Sequence, residues 1–271
     1  MIRAQSPASQ ISRHLDMAAP WRWAVLGALV GLVMALVIFA PASWLTAAVN
    51  QATAGQVQLI EVRGTVWTGS AKLFLAGGAG SRDSAALPGR IDWQLRPGWL
   101  ALNVRLNAEC CTTKPIQARL ATRWGGAGLK VTNGTSQWPA AVLAGLGTPW
   151  NTVQAEGTVQ ISTQDLLIEW LEGRIAVAGR AELTALGVSS RLSTLKPMGS
   201  YRLTLDGGVA ATLTLATLEG SLQLNGSGRW VGSRLRFEGV ASAAPEHEAA
   251  LANLLNIIGR RNGARSIITL G

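Results

Sequence analysis

The last third of the chain alternates apolar and polar residues with a period of two. Apolar residues occupy every second position in four runs, which centre on Leu203, Leu213, Leu224 and Phe237. In a β-strand this spacing places all apolar side chains on one face and leaves the other face to water. Glycines between the runs are typical of turns and bulges. The pattern predicts a largely antiparallel β-sheet with one apolar face.

A change of period after these strands predicts one helix. In the segment 244–261, Leu251, Leu254, Leu255 and Ile258 fall at positions i, i+3, i+4 and i+7. That spacing forms a single apolar stripe along a helix. We therefore expect a C-terminal amphipathic helix that closes the sheet, with basic residues at its end and a final strand after it.

An uncharged segment near the N-terminus predicts a membrane span. No charged residue occurs from Trp23 through Ile60, and the first part of this run is strongly apolar. About 20 such residues cross a bilayer as a helix. The sequence therefore predicts a tail over 1–22, a transmembrane helix over 23–45, a juxtamembrane stalk over 46–55 and a β domain over 56–271.

Positive charge on the N-terminal tail predicts its side of the membrane. The tail carries three arginines against one aspartate, so the positive-inside rule leaves it in the cytoplasm and sends the β domain across. A cleaved signal peptide is the alternative, because residues 40–42 read Ala-Pro-Ala, a passable cleavage site. The long polar leader and the full-length apolar run favour an uncleaved anchor.

Strand-like segments also fill the middle of the chain. We expect a strand pair over 57–75, a hairpin that turns at Pro97-Gly98 and another strand pair over 116–132. The segment 138–146 is the one mid-chain helix candidate. The strand pattern then restarts, so the region 139–150 is a candidate division between two halves of the β domain.

Several segments resemble protein N of the bacterial type II (general) secretion pathway. They are GSYRLTLDG, TLEGSLQLNGSGRW, RLRFEGVASA, AALANLLNIIGRR and RSIITLG in the last third, with VRGTVWTGSA further upstream. The resemblance implies an inner-membrane accessory component of a secretion machine, with its main domain in the periplasm. It implies contacts with other inner-membrane and periplasmic secretion components, and no chemical activity.

The predicted architecture also admits a lipid-binding function. A sheet with one apolar face must cover that face, and this chain has few helices to do so. We therefore expect a curved sheet, folded in half around an apolar trough. That outline is similar to AsmA-type and lipopolysaccharide-transport proteins. A periplasmic lipid-binding or lipid-bridging protein is thus the alternative function.

The sequence offers no catalytic, cofactor or metal site. Its two histidines, His14 and His247, are far apart, and its carboxylates are scattered. The glycines of 125–128 lack the spacing and lysine of a phosphate loop. The chain has a net charge of +9, but its arginines are dispersed among strands, which disfavours nucleic acid as a partner.

Cys110 and Cys111 are the two cysteines of the chain, and they are adjacent. A bond between neighbouring cysteines closes a strained ring, which would suit a redox switch. A bridge to a partner or to a second copy is another interpretation. An unbonded pair in a loop, without structural importance, is the third.

The candidate interaction residues lie near the C-terminus. Arg260 and Arg261 are expected on the exposed end of the helix, and Ile267 and Leu270 on the terminal strand. That strand is expected to pair within its own sheet. Most of the 11 tryptophans follow the apolar run. Burial in the core is the default expectation for them, and contact with a membrane or partner is the alternative.

Overall fold

The computed structural model divides the chain into two compact units, residues 1–40 and residues 41–271. The residues that the structure describes are 21–77, 84–147, 150–232 and 234–271. In the first unit, helix α1 (Trp21–Ile38) has no buried residue, and its length and composition are sufficient to cross a membrane. The predicted tail lies outside the described residues, except for its last two positions.

The N-terminal helix ends earlier than the predicted span of 23–45. Helix α1 stops at Ile38, and a separate helix, α2 (Ala42–Ala52), begins in the second unit after Pro41. Pro41 has extended backbone angles, with φ −66° and ψ 145°. Proline has no amide hydrogen and disfavours a helical conformation in the residue before it, so the apolar run is divided at this point.

The second unit is built on one antiparallel sheet. Its described strands are β1 Val57–Gly64, β2 Thr68–Ala76, β3 Ser84–Ala86, β4 Ile91–Gly98, β5 Ala101–Ala108, β6 Ile116–Arg123, β7 Gly126–Val131, β8 Gly134–Pro139, β9 Glu156–Leu171, β10 Arg174–Ser189, β11 Gly199–Asp206, β12 Thr212–Gly220, β13 Leu222–Val231, β14 Arg234–Ala243, β15 Arg260–Asn262 and β16 Arg265–Leu270.

Neighbouring strands in the sheet are mostly neighbours in sequence. The order is β1-β2-β4-β5-β6-β7-β9-β10-β11-β12-β13-β14-β16-β15, with β3 paired to β2 and β8 paired to β9. The sheet does not close, because β1 and β15 stand at opposite ends of this order. The predicted fold class, a largely antiparallel sheet after one apolar helix and with a C-terminal helix, is confirmed.

Strand register gives the sheet one apolar and one polar face. Trp93 of β4 lies opposite Leu106 of β5, whereas the next pair, Gln94 and Arg105, projects to the other side. The same alternation continues across the neighbouring strands. We call these two sides the apolar face and the polar face.

A short helix, α3 (Trp150–Val153), precedes β9, and the longer helix α4 (Glu248–Ile258) covers the apolar face of the C-terminal strands. Its residues Leu251, Leu254 and Leu255 are buried and pack in one cluster with Met198 and Tyr201. This is the apolar stripe that the sequence predicts. Full burial of each leucine contributes about 1.5–3 kcal/mol, so the helix holds this end of the sheet firmly.

Two other elements cover the N-terminal end of the apolar face. Helix α2 contributes Ala42 to a cluster with Ala71 and Trp93. The 3₁₀ helix Ala140–Leu146 contributes Val142 to a cluster with Leu87. Described elements therefore cap both ends of the apolar face.

A bulge interrupts the register of the long central hairpin. Strands β9 and β10 have 16 residues each, and their register shifts at Asp165 and Gly179, which adopt φ values of 48° and 79°. A Cβ at Gly179 would stand 2.2 Å from the Asp165 carbonyl oxygen, so glycine is required there. The amide of Asp165 donates a hydrogen bond of 2.6 Å to Oδ1 of Asn133.

The predicted turn at Pro97-Gly98 is wrong by two residues. Pro97 belongs to β4, opposite Leu102, and the chain reverses at Trp99 and Leu100. The last described pair between β2 and β4 is Thr68 with Gln94, so this end of β4 has a partner on one side only. Proline is tolerated there because no neighbouring strand needs its amide hydrogen.

The predicted helix limits also change at two places. The helix candidate 138–146 is strand β8 as far as Pro139 and a 3₁₀ helix after it. At the C-terminus, α4 stops at Ile258, and Arg260–Asn262 forms strand β15 instead of the helix end. Gly259 permits this turn, because a Cβ there would stand 2.5 Å from the carbonyl oxygen of Ile267.

Replacement of Leu255 by alanine is expected to destabilise the β domain. Leu255 is 0% exposed, so its removal leaves a cavity that costs about 2–5 kcal/mol of unfolding free energy. Chemical denaturation in detergent measures the change. Ile257→Ala is the matched control, because Ile257 lies on the same helix with 40% of its surface exposed. Equal losses in both variants would contradict the packing of α4.

Tyr201→Phe is expected to stabilise the same core by about 1 kcal/mol. The buried hydroxyl of Tyr201 has no hydrogen-bond partner among the described residues, and such a group costs free energy. Burial raises the pKa of Tyr201 well above its ordinary value near 10. Above pH 10 the tyrosine hydroxyl ionises in the unfolded chain but not in the folded chain, so the free energy of unfolding falls as pH rises. Denaturation at neutral and alkaline pH measures both effects.

Tyr201 is also the one tyrosine of the chain, so its ionisation can be followed directly. In an alkaline titration of the wild-type protein, the tyrosinate absorbance should appear together with unfolding. Tyrosinate absorbance in a protein that is still folded, at the ordinary pKa of tyrosine, would show that the hydroxyl is not buried.

Candidate interaction surfaces

Part of the apolar face between the capped ends is exposed, although its centre is buried around Leu166 and Val177. Leu106 and Leu120 are 37% and 38% exposed on β5 and β6, and neither belongs to the buried clusters of the described residues. Trp170 of β9 is similarly exposed, at 39%. This stretch, which we call the open apolar stretch, lies between the helices that cap the two ends. Exposed apolar surface in such a setting is typical of a binding site.

The predicted interaction residues of the C-terminus lie at the edge of the sheet. Arg260 is exposed and pairs in register with Ile267, which is 39% exposed. Leu270 is 58% exposed and lies opposite Phe237 of β14. As expected, the terminal strand pairs within its own sheet. The structure thus brings Arg260 and Ile267 together and leaves Leu270 at the other end of β16.

Arg261 differs from its neighbour because it faces inward. It lies opposite Ser266, and its Nη2 atom is 3.7 Å from the Glu248 carboxylate on α4. This ion pair joins the edge strand to the helix. Arg261 therefore has a structural contact, whereas Arg260 is open to a partner. Strand β15 is the last strand in the described sheet order. Its outer side therefore has backbone groups that could pair with another strand.

The two cysteines are bonded to each other in the structure. They lie in the turn after β5, where Cys111 is buried beside Leu87 and Cys110 is exposed. A bond within the chain is one of the interpretations that the sequence left open. The bonded pair stiffens the turn that faces the 3₁₀ helix.

The predicted burial of the tryptophans holds for some of them and is wrong for others. Among those after the apolar run, Trp93 is buried, at 3% exposure, and its Nε1 donates a hydrogen bond to the carbonyl oxygen of Val66. Trp138 and Trp230 are partly buried against core clusters. Trp99 and Trp124 are 91% and 102% exposed at adjacent hairpin turns. Sequence alternation cannot distinguish a turn tryptophan from a core one when the turn itself is misplaced.

Sequence analysis also missed a basic groove on the polar face. It has a volume of about 700 Å³ over β4–β7, and its cationic lining residues are Arg96, Arg105, Arg119 and Lys130. The cations are dispersed in sequence, and the register of four strands brings them together. A period-two count of the basic residues on these strands would have been the available signal.

No cluster of metal-ligating side chains is found among the residues that the structure describes. None of them form a group of three or more His, Cys, Asp and Glu side chains that could hold a metal ion. Described carboxylates instead pair with cations across strands, as Glu169 does with Arg123 at 2.7 Å and Glu182 with Arg202 at 3.0 Å.

Fold and surfaces together define a class of protein: an open antiparallel β protein preceded by an apolar helix that is long enough to span a membrane. A family model described as type II secretion system (T2SS), protein N, matches residues 55–268. The chain therefore belongs to the type II secretion system protein N family and is a component of that system, as its segments had indicated. No curated protein and no solved structure matches the chain.

Thiol labelling tests the state of the two cysteines. Because Cys110 and Cys111 are bonded to each other, the unreduced protein in denaturant should not react with a thiol reagent, whereas the reduced protein should react at both positions. The unreduced protein should also run as a monomer in denaturing electrophoresis. Labelling without reduction, or a dimer that disappears on reduction, would contradict the bond within the chain.

Proposed function

We propose that this chain is an inner-membrane accessory subunit of the type II secretion apparatus. In this proposal α1 anchors it, the tail over 1–22 lies in the cytoplasm and the domain over 56–271 lies in the periplasm. The family match and the apolar composition of α1 support the anchor. The positive charge of the tail supports the orientation.

The β domain acts in this proposal by protein–protein contacts rather than by catalysis. The observation that carries it is the open apolar stretch, where Leu106 and Leu120 remain more than a third exposed. An apolar patch on a folded domain gains free energy when a partner covers it, at about 25 cal/mol for each Å². The free edge of β15, with Arg260 exposed, provides a second contact surface that suits strand addition.

Lipid binding is a second candidate function, and the same stretch favours it. A curved sheet with helices at both ends of its apolar face leaves a trough that acyl chains would fill. Aliphatic side chains such as Leu106 and Leu120 suit acyl chains and apolar protein segments equally. The occupant of the trough therefore distinguishes the two functions.

A secretion assay tests whether the open apolar stretch is needed for either function. Variants of the chain are expressed in a bacterium whose own copy of the gene is deleted, and the secreted protein is measured. The double variant Leu106→Asp/Leu120→Asp should lower the amount of secreted protein, because it places charge on the open apolar stretch. Leu186→Asp is the matched control: Leu186 is 40% exposed, but its register partner is Thr158 and it lies on the polar face. Equal secretion by the double variant and the control would contradict a role for this stretch.

Native mass spectrometry of the detergent-extracted protein then identifies the occupant. Secretion subunits that co-purify with the wild type and are lost in the double variant would support docking. Phospholipid or lipopolysaccharide that stays bound to the wild type, and is lost in the double variant, would support the lipid function instead.

A further inference from the structure

The basic groove is a separate surface from the open apolar stretch and the sheet edge. It lies on the polar face, and its four cations come from four adjacent strands. Arg96, Arg105, Arg119 and Lys130 are all exposed. Within the described part of the chain, none of the four forms an ion pair. Their charge is available to a partner.

Strand register forces like charges together in this groove. Arg119 of β6 lies directly opposite Lys130 of β7. On the other side, Arg119 lies opposite Asn103, which in turn lies opposite Arg96. Like charges directly opposite each other in a sheet are destabilising. An anion that enters the groove relieves this repulsion.

The groove contains little negative charge of its own. Asp165 is the one carboxylate in its described lining, and it is held at the bulge of β9. Its Oδ1 accepts a hydrogen bond of 3.5 Å from Nδ2 of Asn133, and its amide donates to Oδ1 of the same residue. Asp165 is therefore part of the groove wall rather than a counterion for the four cations.

Amide side chains between the cations supply further hydrogen-bond donors. Gln94 and Gln117 flank Arg105 in register, and Asn103 lies between Arg96 and Arg119. Guanidinium groups bind carboxylates through two parallel hydrogen bonds, and amides can bind the remaining oxygens. From these features we infer that the basic groove binds an acidic segment of a partner polypeptide.

The spread of the cations favours a polypeptide over a lipid headgroup. Four strands at about 4.8 Å spacing separate the outer cations by about 14 Å, so a chain with several carboxylates meets all of them at once. A single phosphate group reaches one or two. The apolar residues of the lining, Val104, Ala118 and Val131, alternate with the cations and direct their side chains to the opposite face. The side chains that face the groove are therefore mostly cationic and amide.

Fluorescence anisotropy with a synthetic peptide tests the groove. The probe is a labelled peptide of alternating glutamate and serine, and the same peptide with glutamine in place of glutamate is the uncharged comparison. The full chain is used in a non-ionic detergent at low salt. The glutamate peptide should bind, the glutamine peptide should not, and added salt should weaken the binding.

Two variants with the same loss of charge separate the groove from net charge. The groove variant is Arg96→Gln/Arg105→Gln/Arg119→Gln/Lys130→Gln. The control variant is Arg174→Gln/Arg229→Gln/Arg234→Gln/Arg236→Gln, whose arginines are also exposed but do not line the groove. The groove variant should weaken binding by about tenfold or more, since each exposed ion pair contributes modestly and four are lost. The control variant should keep most of the affinity.

Each other result overturns the inference. Equal weakening in both variants would show attraction to net charge alone, and absence of binding at low salt would show that the groove does not accept carboxylates. Short-chain phosphatidylglycerol is titrated in parallel, with phosphatidylcholine as its neutral control. If the anionic lipid binds only when the groove cations are present, and the peptide does not bind, the groove serves an anionic headgroup instead.

Discussion

The rest of this structure depends on how one apolar face of the sheet is kept from water. An amphipathic sheet must bury its apolar side, and a chain with few helices has little to bury it with. Helix α4 covers one end through Leu251, Leu254 and Leu255, and α2 and a 3₁₀ helix cover the other. The strands between them must curve over their own side chains or stay open. The open apolar stretch is what remains, and the proposed function depends on it.

The central bulge affects both faces of the sheet. Asp165 and Gly179 adopt left-handed conformations where the pairing of β9 and β10 is interrupted, and Asn133 holds the bulge by hydrogen bonds. Asn133 and Asp165 also form one wall of the basic groove. A bulge in a sheet re-aims the side chains next to it, so the same distortion shapes both faces.

In the two proposals made above, the two faces provide two kinds of recognition. The apolar face offers non-directional burial, which tolerates lipid or protein partners. The polar face offers fixed donors and positive charge, which select anions by geometry. The chain belongs to the type II secretion system protein N family, and the proposals assign its two faces to different contacts of such a component.

The local periodicity of the sequence predicted most strands and helices correctly. It did not predict the register in which the strands pair. The strands from β11 to β14 and the leucine stripe of α4 follow the predicted spacing, because period two and period 3.6 report burial along a single element. The turn at Trp99 and the strand position of Arg260 did not follow. Both depend on the partner strand: the end of β4 lacks one neighbour, and Arg260 pairs with Ile267.

The sequence by itself determined the apolar helix, the amphipathic strands, the C-terminal helix and the family. Each of these depends on residues that are close in the chain. Only the tertiary structure decided which part of the apolar face stays open, that Cys110 and Cys111 bond to each other, and that Arg96, Arg105, Arg119 and Lys130 share a groove. The open stretch and the groove depend on which strands become neighbours and in what register, whereas the bond between the adjacent cysteines depends on the local conformation of their turn. The hydrophobic pattern of the paired strands and the geometry of their turns set that register, and a one-residue slip would reverse every face.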